Sequence, residues 1–171
     1  MKSNEEILKE RASQLAIKKN ETIDFEERSL NVVAFNLSYE RYGIDNQLIT
    51  EVLLLKELTP IPGAPAFISG VTNVRGRIVS IVNLKIFLGL VTKGITEFNK
   101  AIILRHNGME FGIITDAICG TLKISENLLS KPPATLQGKG AEFIKGITPD
   151  GTIILDGERL LSNQGILVNQ K

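Results

Sequence analysis

Few side chains in this 171-residue sequence could carry out chemistry, and those present are poorly placed for it. The sequence contains one histidine, one cysteine and no tryptophan. His106 lies beside the pair Asn107-Gly108, where a solvated side chain is the ordinary outcome, and Cys119 lies among apolar residues, which is typical of a small core residue. A His/Cys zinc site, a disulfide framework or a cysteine redox pair cannot be assembled within one chain of this composition.

Sequence motifs for catalysis are also missing. The sequence has no phosphate-binding loop, no nucleophile elbow, no zinc-protease motif and no dinucleotide-binding glycine motif. The adjacent carboxylates of Glu26 and Glu27 lie in a polar stretch, where solvated charge is expected. We therefore expect no enzyme activity, no metal site and no cofactor, and an enzyme that uses His106 or Cys119 is the alternative from another class.

The charge balance disfavours a nucleic-acid-binding surface. Lys and Arg number 20 against 19 Asp and Glu, so the formal net charge is only +1. From residue 30 onward there are 14 basic and 12 acidic residues, and no aromatic residue lies in a basic cluster. A small-barrel nucleic-acid-binding module is therefore the weaker alternative, and no nucleic-acid partner is expected.

The heptapeptide at residues 70–76, Gly-Val-Thr-Asn-Val-Arg-Gly, places an arginine in a turn before an apolar strand. Arg75, held between Asn73 and Gly76, would present a planar fork of five donors that can bind a carboxylate through two hydrogen bonds. Alternatively, Asn73 and Gly76 only supply turn conformations and Arg75 is a surface charge. The residue types alone leave both interpretations open.

Residues 1–29 differ from the rest of the sequence. Ser3-Asn4-Glu5-Glu6 has the form of a capping box, and apolar residues recur at helical spacing from Ile7 to Ala16. The pattern predicts a short amphipathic helix, followed by a polar linker over residues 20–28. A frayed tail and a partner-binding arm are both compatible with this segment.

From Leu30 onward apolar residues alternate with a period of two, which is typical of strands with one buried face. One hairpin is expected around the four residues 38–41, and a second around Asn107-Gly108, because both residues tolerate the positive φ of a type I′ turn. An aromatic-Gly-Ile triplet closes each hairpin, as Tyr42-Gly43-Ile44 and as Phe111-Gly112-Ile113.

The similarity between the two halves continues downstream. Residues 67–72 (Phe-Ile-Ser-Gly-Val-Thr) match residues 143–148 (Phe-Ile-Lys-Gly-Ile-Thr) in the same order as the hairpins. Several short strands per copy of some 65–75 residues favour a small antiparallel barrel that closes its own edges. The sequence therefore predicts two similar small barrels side by side.

A few local features are also expected. Pro60, Pro62 and Pro65 predict an extended surface loop, because each ring removes an amide donor and fixes φ. Ser125 is expected to cap a one-turn helix, and residues 84–88 are the only other short helix expected in the body of the chain.

Nothing in the sequence predicts export or membrane insertion. Residues 1–28 carry 6 basic and 7 acidic residues, and the longest apolar stretches, such as Val52-Leu53-Leu54-Leu55, are far too short to span a bilayer. A single reduced cysteine agrees with a cytoplasmic protein, which is the expected localisation.

Residues 67–84 resemble the hallmark segment of the CheW family, the bacterial chemotaxis coupling proteins. The similarity extends to residues 42–45, 49–52, 61–62, 111–116 and 153–156. The resemblance implies a mainly β fold, in which two SH3-like five-stranded barrels form one CheW-like domain over residues 30–165. The two barrel copies would meet near residues 90–100, with an N-terminal helical arm at 1–29 and a C-terminal tail at 166–171.

The resemblance also implies a function. Proteins of this family are scaffolds without enzymatic activity, which join the cytoplasmic tips of chemoreceptors to the histidine kinase CheA and bind its regulatory domain. A member that is monomeric when free, without cofactor or metal, is therefore expected. The arm is longer than a minimal family member requires, which leaves an adaptor of a non-chemotaxis chemosensory pathway as an alternative.

The family pattern implies which residues bind receptor and kinase. By position, these are Ile49, Glu51, Gly70, Asn73, Arg75 and Gly76. We hypothesise that Glu51 and Arg75 pair with each other or with partner proteins, because they have opposite charges. Val74, Ser80 and Asn83 depart from the residues common in the family, and none of these changes should alter the fold.

Overall fold

The computed structural model describes residues 29–90, 99–132, 138 and 140–167 of the chain. In chain order its strands are β1 (Ser29–Leu37), β2 (Glu40–Asp45), β3 (Ile49–Leu54), β4 (Ile68–Val74), β5 (Arg77–Val82), β6 (Lys100–His106), β7 (Met109–Thr115), β8 (Ala117–Ser125), β9 (Ile144–Ile147) and β10 (Ile153–Leu155). Its short α-helices are α1 (Leu84–Phe87), α2 (Gly157–Ser162) and α3 (Gln164–Leu167). The helix expected in the N-terminal arm lies outside the described residues.

The strands form two five-stranded sheets. Sheet I has the strand order β8-β1-β2-β10-β9, and sheet II has the order β3-β6-β7-β5-β4. Neighbouring strands are antiparallel except for one parallel pair in each sheet, β2 with β10 and β5 with β7. The expected mainly β fold with two five-stranded units is confirmed.

The two sequence repeats do not each build their own sheet, so the expected division into barrel copies meeting near residues 90–100 is wrong in this respect. Sheet I combines β1 and β2 of the first repeat with β8, β9 and β10 of the second, and sheet II combines β3, β4 and β5 with β6 and β7. The physical reason is that β2 and β7 already have a hydrogen-bonded strand along both edges. The strand that follows each of them therefore cannot pair with it, and it pairs instead with a strand of the other sheet, β3 with β6 and β8 with β1.

The glycine of each aromatic-Gly-Ile triplet lies where the two repeats meet in a parallel pair. Gly43 pairs with Ile154, and Gly112 pairs with Ile81. A Cβ on Gly43 would lie 2.9 Å from Ile154 Cδ1, and a Cβ on Gly112 would lie 2.6 Å from Ile81 Cδ1 and 2.8 Å from Ile103 Cδ1. The repeated triplet therefore marks a close approach of isoleucine side chains to the backbone.

We expect Gly112→Ala to lower the free energy of unfolding by about 1–3 kcal/mol, the usual cost of overpacking a buried site. Ile81→Val removes the Cδ1 atom that the new methyl group would meet, so the double variant should lose less than the sum of the two single losses. Urea unfolding of the four proteins in this cycle measures the coupling. Strictly additive losses would contradict the close contact.

Two groups of buried side chains form the interior. The larger, here called the shared core, includes residues of both sheets and of helix α2 and therefore holds the sheets together. Its largest fully buried members are Phe35, Leu37, Ile44, Leu84, Ile102, Leu104, Phe111 and Ile113. The smaller core belongs to sheet II and consists of Leu55, Val74, Val79, Ile81, Ala101, Ile103 and Ile114.

A buried ion pair also connects the two sheets. Lys85, at the start of α1, has a side chain only 3% exposed, and its Nζ lies 2.5 Å from Asp116 Oδ1. The other carboxylate oxygen of Asp116 accepts a hydrogen bond from the Ser38 N–H at 2.7 Å, and the Asp116 N–H donates to the Asn36 carbonyl at 3.0 Å. Because Asp116 alone joins β7 of sheet II to β8 of sheet I, this network fixes the crossing point of the chain.

Several local expectations are confirmed. Asn107 and Gly108 have φ values of 50° and 79° and form the turn between β6 and β7. The proline-containing segment forms only an isolated bridge between Thr59 and Val71.

The first hairpin turns in two residues, Ser38 and Tyr39, rather than the expected four.

Two expectations about single side chains are wrong. Ser125 precedes a 3-10 turn, but its side chain makes no capping hydrogen bond, and its buried Oγ has no partner among the described residues. Cys119 is exposed rather than in the core. The pairs Ala34 with Gly120 and Phe35 with Ile118 leave Cys119 as the extra residue of a β-bulge, which removes it from the regular alternation.

The helix expected near residues 84–88 is confirmed as α1, whereas α2 and α3 were not expected. Asn83 Oδ1 caps α1 by accepting from the Lys85 N–H, and Asp156 Oδ1 caps α2 by accepting from the Arg159 N–H, both at 3.1 Å. The capping residues Asn83 and Asp156 directly follow β5 and β10, which hold equivalent positions in the two sheets, so the helix cap is part of the repeat. None of the helices in the described ranges is long and apolar enough to cross a membrane.

Candidate docking site

The structure brings Glu51 of β3 together with Arg75 of the turn between β4 and β5. Arg75 Nε lies 3.0 Å from Glu51 Oε2, so the hypothesised pairing is confirmed within the chain. The Glu51 side chain is 22% exposed and the Arg75 side chain is 83% exposed. The carboxylate is therefore partly sheltered, while the guanidinium remains accessible to another molecule.

The turn itself presents Arg75 to solvent. Arg75 and Gly76 both have positive φ values, 51° and 84°, and the flanking residues Val74 and Arg77 pair across the hairpin. These angles agree with a type I′ turn, in which glycine is readily accommodated. Asn73 Oδ1 accepts a hydrogen bond from the Gly76 N–H at 2.8 Å and holds the turn in place. Asn73, Arg75 and Gly76 therefore lie together with Glu51, and we call these four residues the charged end of sheet II.

Gly70 lies away from the charged end, where β4 meets the proline-containing loop. Its φ is 149°, and a Cβ at this position would lie 2.4 Å from the Thr59 carbonyl oxygen. The next residue, Val71, exchanges two backbone hydrogen bonds with Thr59, at 2.8 and 2.9 Å. The position of Gly70 thus indicates a role in shaping the loop.

Ile49 is separated from Glu51, although only one residue lies between them. Ile49 pairs with Leu104 and Glu51 pairs with Ile103, so a bulge interrupts β3 at Thr50. Residues directly opposite one another in antiparallel strands share a face. Ile49 therefore packs against the shared core, which contains Leu104, and Glu51 lies on the face of Ile103, which belongs to the core of sheet II.

The sequence analysis missed several exposed residues close to these positions. Ile78, in β5 just after the turn, is 69% exposed, and Arg77 Nη2 lies 3.4 Å from Glu110 Oε2. On β3, Val52 and Leu54 are 43% and 44% exposed. The alternation along each strand could have revealed them, because Val79 and Ile81 on one strand and Leu53 on the other face inward.

The side chains that the sequence offered for chemistry, His106 and Cys119, are not brought together by the described residues. Within the ranges given above, no group of three or more His, Cys, Asp or Glu side chains could hold a metal ion. His106 is half-buried at the β6–β7 turn, and Cys119 contacts Asn36 Oδ1 at 3.3 Å. These two side chains lie on different strands of different sheets.

Comparison with known proteins identifies the family. A family model described as the CheW-like domain matches residues 31–165. The chain belongs to the CheW family. It is 32% identical to the chemotaxis protein CheW of Treponema pallidum over 145 residues, covering 81% of this chain and 85% of the relative. It is 30% identical to the CheW of Thermotoga maritima, covering 75% of this chain and 83% of that protein.

The fold of the family is also found in a solved structure. The crystal structure of the scaffolding protein TtCheW from Thermoanaerobacter tengcongensis is 32% identical, with a TM-score of 0.69, and covers 80% of this chain and 90% of that one. The chain thus spans most of the length of these CheW proteins. The segment that carries the charged end, residues 51–76, lies within the matched CheW-like domain.

Proposed function

We propose that this protein is a chemotaxis coupling scaffold, which links the cytoplasmic tips of chemoreceptors to the regulatory domain of the histidine kinase CheA. Membership of the CheW family is the observation that carries this proposal. The named relatives are chemotaxis proteins, which favours this role over an adaptor of another pathway or a nucleic-acid-binding module. Such a protein acts by positioning its partners, so it needs no catalytic group and no cofactor, and it works in the cytoplasm as a monomer that assembles with them.

The charged end of sheet II is the proposed kinase-docking surface. Arg75 is held by Glu51 but keeps most of its side chain in solvent, and Asn73 and Gly76 fix the turn that presents it. Ile78 adds an exposed apolar side chain on the adjoining strand. An arginine beside an apolar contact is a common energetic centre of protein interfaces, because its fork binds carboxylates specifically while the apolar group excludes water.

The outer face of β3, formed by Val52 and Leu54, is the proposed receptor-docking surface. Val52 pairs with Ile102, so its side chain shares a face with a member of the shared core. The exposed face of β3 is thus continuous with the apolar region between the sheets. An amphipathic helical hairpin, such as a receptor tip, could bury apolar side chains there.

The proposal predicts that Arg75→Ala weakens binding of the kinase regulatory domain by at least about tenfold, the loss of 1.4 kcal/mol or more typical of an interface arginine. The free energy of unfolding should change by no more than about 1 kcal/mol, because the Arg75 side chain that is removed is 83% exposed. A binding assay with the purified regulatory domain and urea unfolding of the same preparation measure the two effects.

Two further variants make this test specific. Arg41→Ala removes another exposed arginine with an acidic neighbour, Asp150 at 3.9 Å, but on sheet I, and should leave kinase binding unchanged. Val52→Asp should weaken binding of a receptor-tip fragment while binding of the kinase domain is retained. Unchanged kinase affinity in Arg75→Ala, or an equal loss in Arg41→Ala, would count against the charged end as the docking surface.

A further inference from the structure

A cavity lies at the open seam of sheet I, between the edge strand β8 and the turn that joins β9 to β10. Its volume is about 290 Å³, and its apolar lining comes from Leu122, Ile124, Leu128 and Pro149. Ser125 also lines it, with a side chain that is more than nine-tenths buried and an Oγ that has no partner among the described residues. A buried hydroxyl without a partner is costly, so this wall of the cavity is incompletely satisfied.

The repeat explains why this cavity exists in sheet I. Val71 and Ile147 occupy equivalent positions, because each makes the isolated bridge of its repeat. Val79 and Thr152 are also equivalent, because each lies two residues before the isoleucine that pairs with Gly112 or Gly43. Seven residues separate Val71 from Val79, but only four separate Ile147 from Thr152. The hairpin of the second repeat is therefore shorter, and it leaves open the seam that the longer hairpin closes in sheet II.

The shorter hairpin also changes the side chains at the seam. In sheet II, Val74 and Val79 are each 2% exposed and fill the core. In sheet I, Thr148 and Thr152 hydrogen-bond to each other at 3.0 Å, and the Thr148 hydroxyl donates to Asp150, which lowers the pKa of that carboxyl and keeps it ionised at the rim. Of the hairpin residues 148–152, only Pro149 is apolar, and it lines the cavity rather than filling it.

The chain that precedes β1 leaves the domain next to this cavity. Ser29, the first residue of β1, pairs directly with Ser125, and residues 1–28 precede it. The nearest apolar residues of that segment are Phe25 and Ile23. Four residues of extended chain span up to about 14 Å, and neighbouring strands are about 5 Å apart, so Phe25 can cross β8 and reach the cavity.

We propose that residues 20–28 of this chain dock in the cavity, with the Phe25 side chain as their apolar anchor. A cavity of roughly 150 Å³ already accommodates benzene, so 290 Å³ is ample for a phenyl ring. Asp24 and Glu26 flank the anchor; on the rim, Lys123 attracts these acidic side chains and the ionised Asp150 repels them, so they should lie on the Lys123 side. The proposal does not depend on which partners the protein couples.

Tryptophan fluorescence tests this docking, because the natural sequence contains no tryptophan. In the full-length variant Phe25→Trp, we expect a blue-shifted emission maximum and a severalfold lower acrylamide quenching constant than in Tyr39→Trp. Tyr39 is 79% exposed and therefore gives a solvated reference. Both properties of Phe25→Trp should be independent of protein concentration.

A second substitution locates the docked segment. Leu128 is 57% exposed, so Leu128→Arg should fold normally, but its charge in the cavity should restore exposed-like emission and quenching to Phe25→Trp. Ile78→Arg, an equally conspicuous change on sheet II, should leave the fluorescence unchanged. Solvent-exposed emission from Phe25→Trp, or protection that Leu128→Arg does not reverse, would overturn the proposal. Protection that depends on protein concentration would also overturn it, because the occupant would then be a second copy of the chain.

Discussion

Replacing Asp116 by alanine is expected to lower the free energy of unfolding by about 3 kcal/mol, near the lower end of the cost of removing one partner from a buried ion pair. The remaining Lys85 ammonium would be only 3% exposed and without its carboxylate 2.5 Å away. The Ser38 N–H would lose its acceptor as well. The lower end of the range applies because the Asp116 side chain is 24% exposed, so water can partly replace it. Urea or guanidinium unfolding measures the change.

Two comparisons show whether burial is the cause. Glu126→Ala breaks the pair between Lys145 and Glu126, which are 3.5 Å apart and about 40% exposed, and it should cost only about 0–1 kcal/mol. Adding Lys85→Met to Asp116→Ala removes the uncompensated charge and should recover much of the loss. Similar losses in Asp116→Ala and Glu126→Ala would mean that Asp116 does not hold the crossing between the sheets.

The sequence predicts the strands of this protein better than their partners. Local signals suffice for the hairpin at Asn107-Gly108 and for the repeated triplets, because turn chemistry and alternation act over a few residues. The exchange of strands between the repeats follows from which edges of β2 and β7 are already occupied, and no local pattern records that. The sequence does not predict that Ile49 and Glu51 lie on different faces of β3 for the same reason, since the bulge at Thr50 is defined only by pairing with β6.

The candidate site could be predicted in part. The pairing of Glu51 with Arg75 was inferred from family positions and opposite charge, and the ion pair is present. The exposure of Ile78 could have been inferred from the alternation along β5, whereas the cavity beside Ser125 could not, because it depends on hairpin length and on the distance between strands far apart in the chain. For Ser125 the sequence suggests a helix cap, whereas the tertiary structure turns the side chain into a buried cavity wall.

Gly70→Ala is the second change with a large expected effect, a loss of about 3–4 kcal/mol in the free energy of unfolding. A φ of 149° is strained for any residue with a Cβ, at a cost of about 1–3 kcal/mol. The new methyl group would also lie 2.4 Å from the Thr59 carbonyl oxygen, which is backbone and cannot rotate away. Relief of this clash would break the bridge between Thr59 and Val71, with two hydrogen bonds of about 0.5–1.5 kcal/mol each. Thermal or urea unfolding measures the loss.

Gly76→Ala is the matched control, because Gly76 also has a positive φ but a Cβ there would meet nothing within 4 Å. It should cost only about 1–2 kcal/mol, the conformational penalty alone. Equal losses in the two variants would show that the contact with Thr59 contributes nothing. If the larger loss at Gly70 is found, weaker partner binding by Gly70→Ala reports a displaced loop, whereas weaker binding by the stably folded Arg75→Ala reports a lost contact. Comparison of Gly70→Ala with Arg75→Ala thus distinguishes a residue that shapes the docking surface from the arginine that we propose binds the kinase.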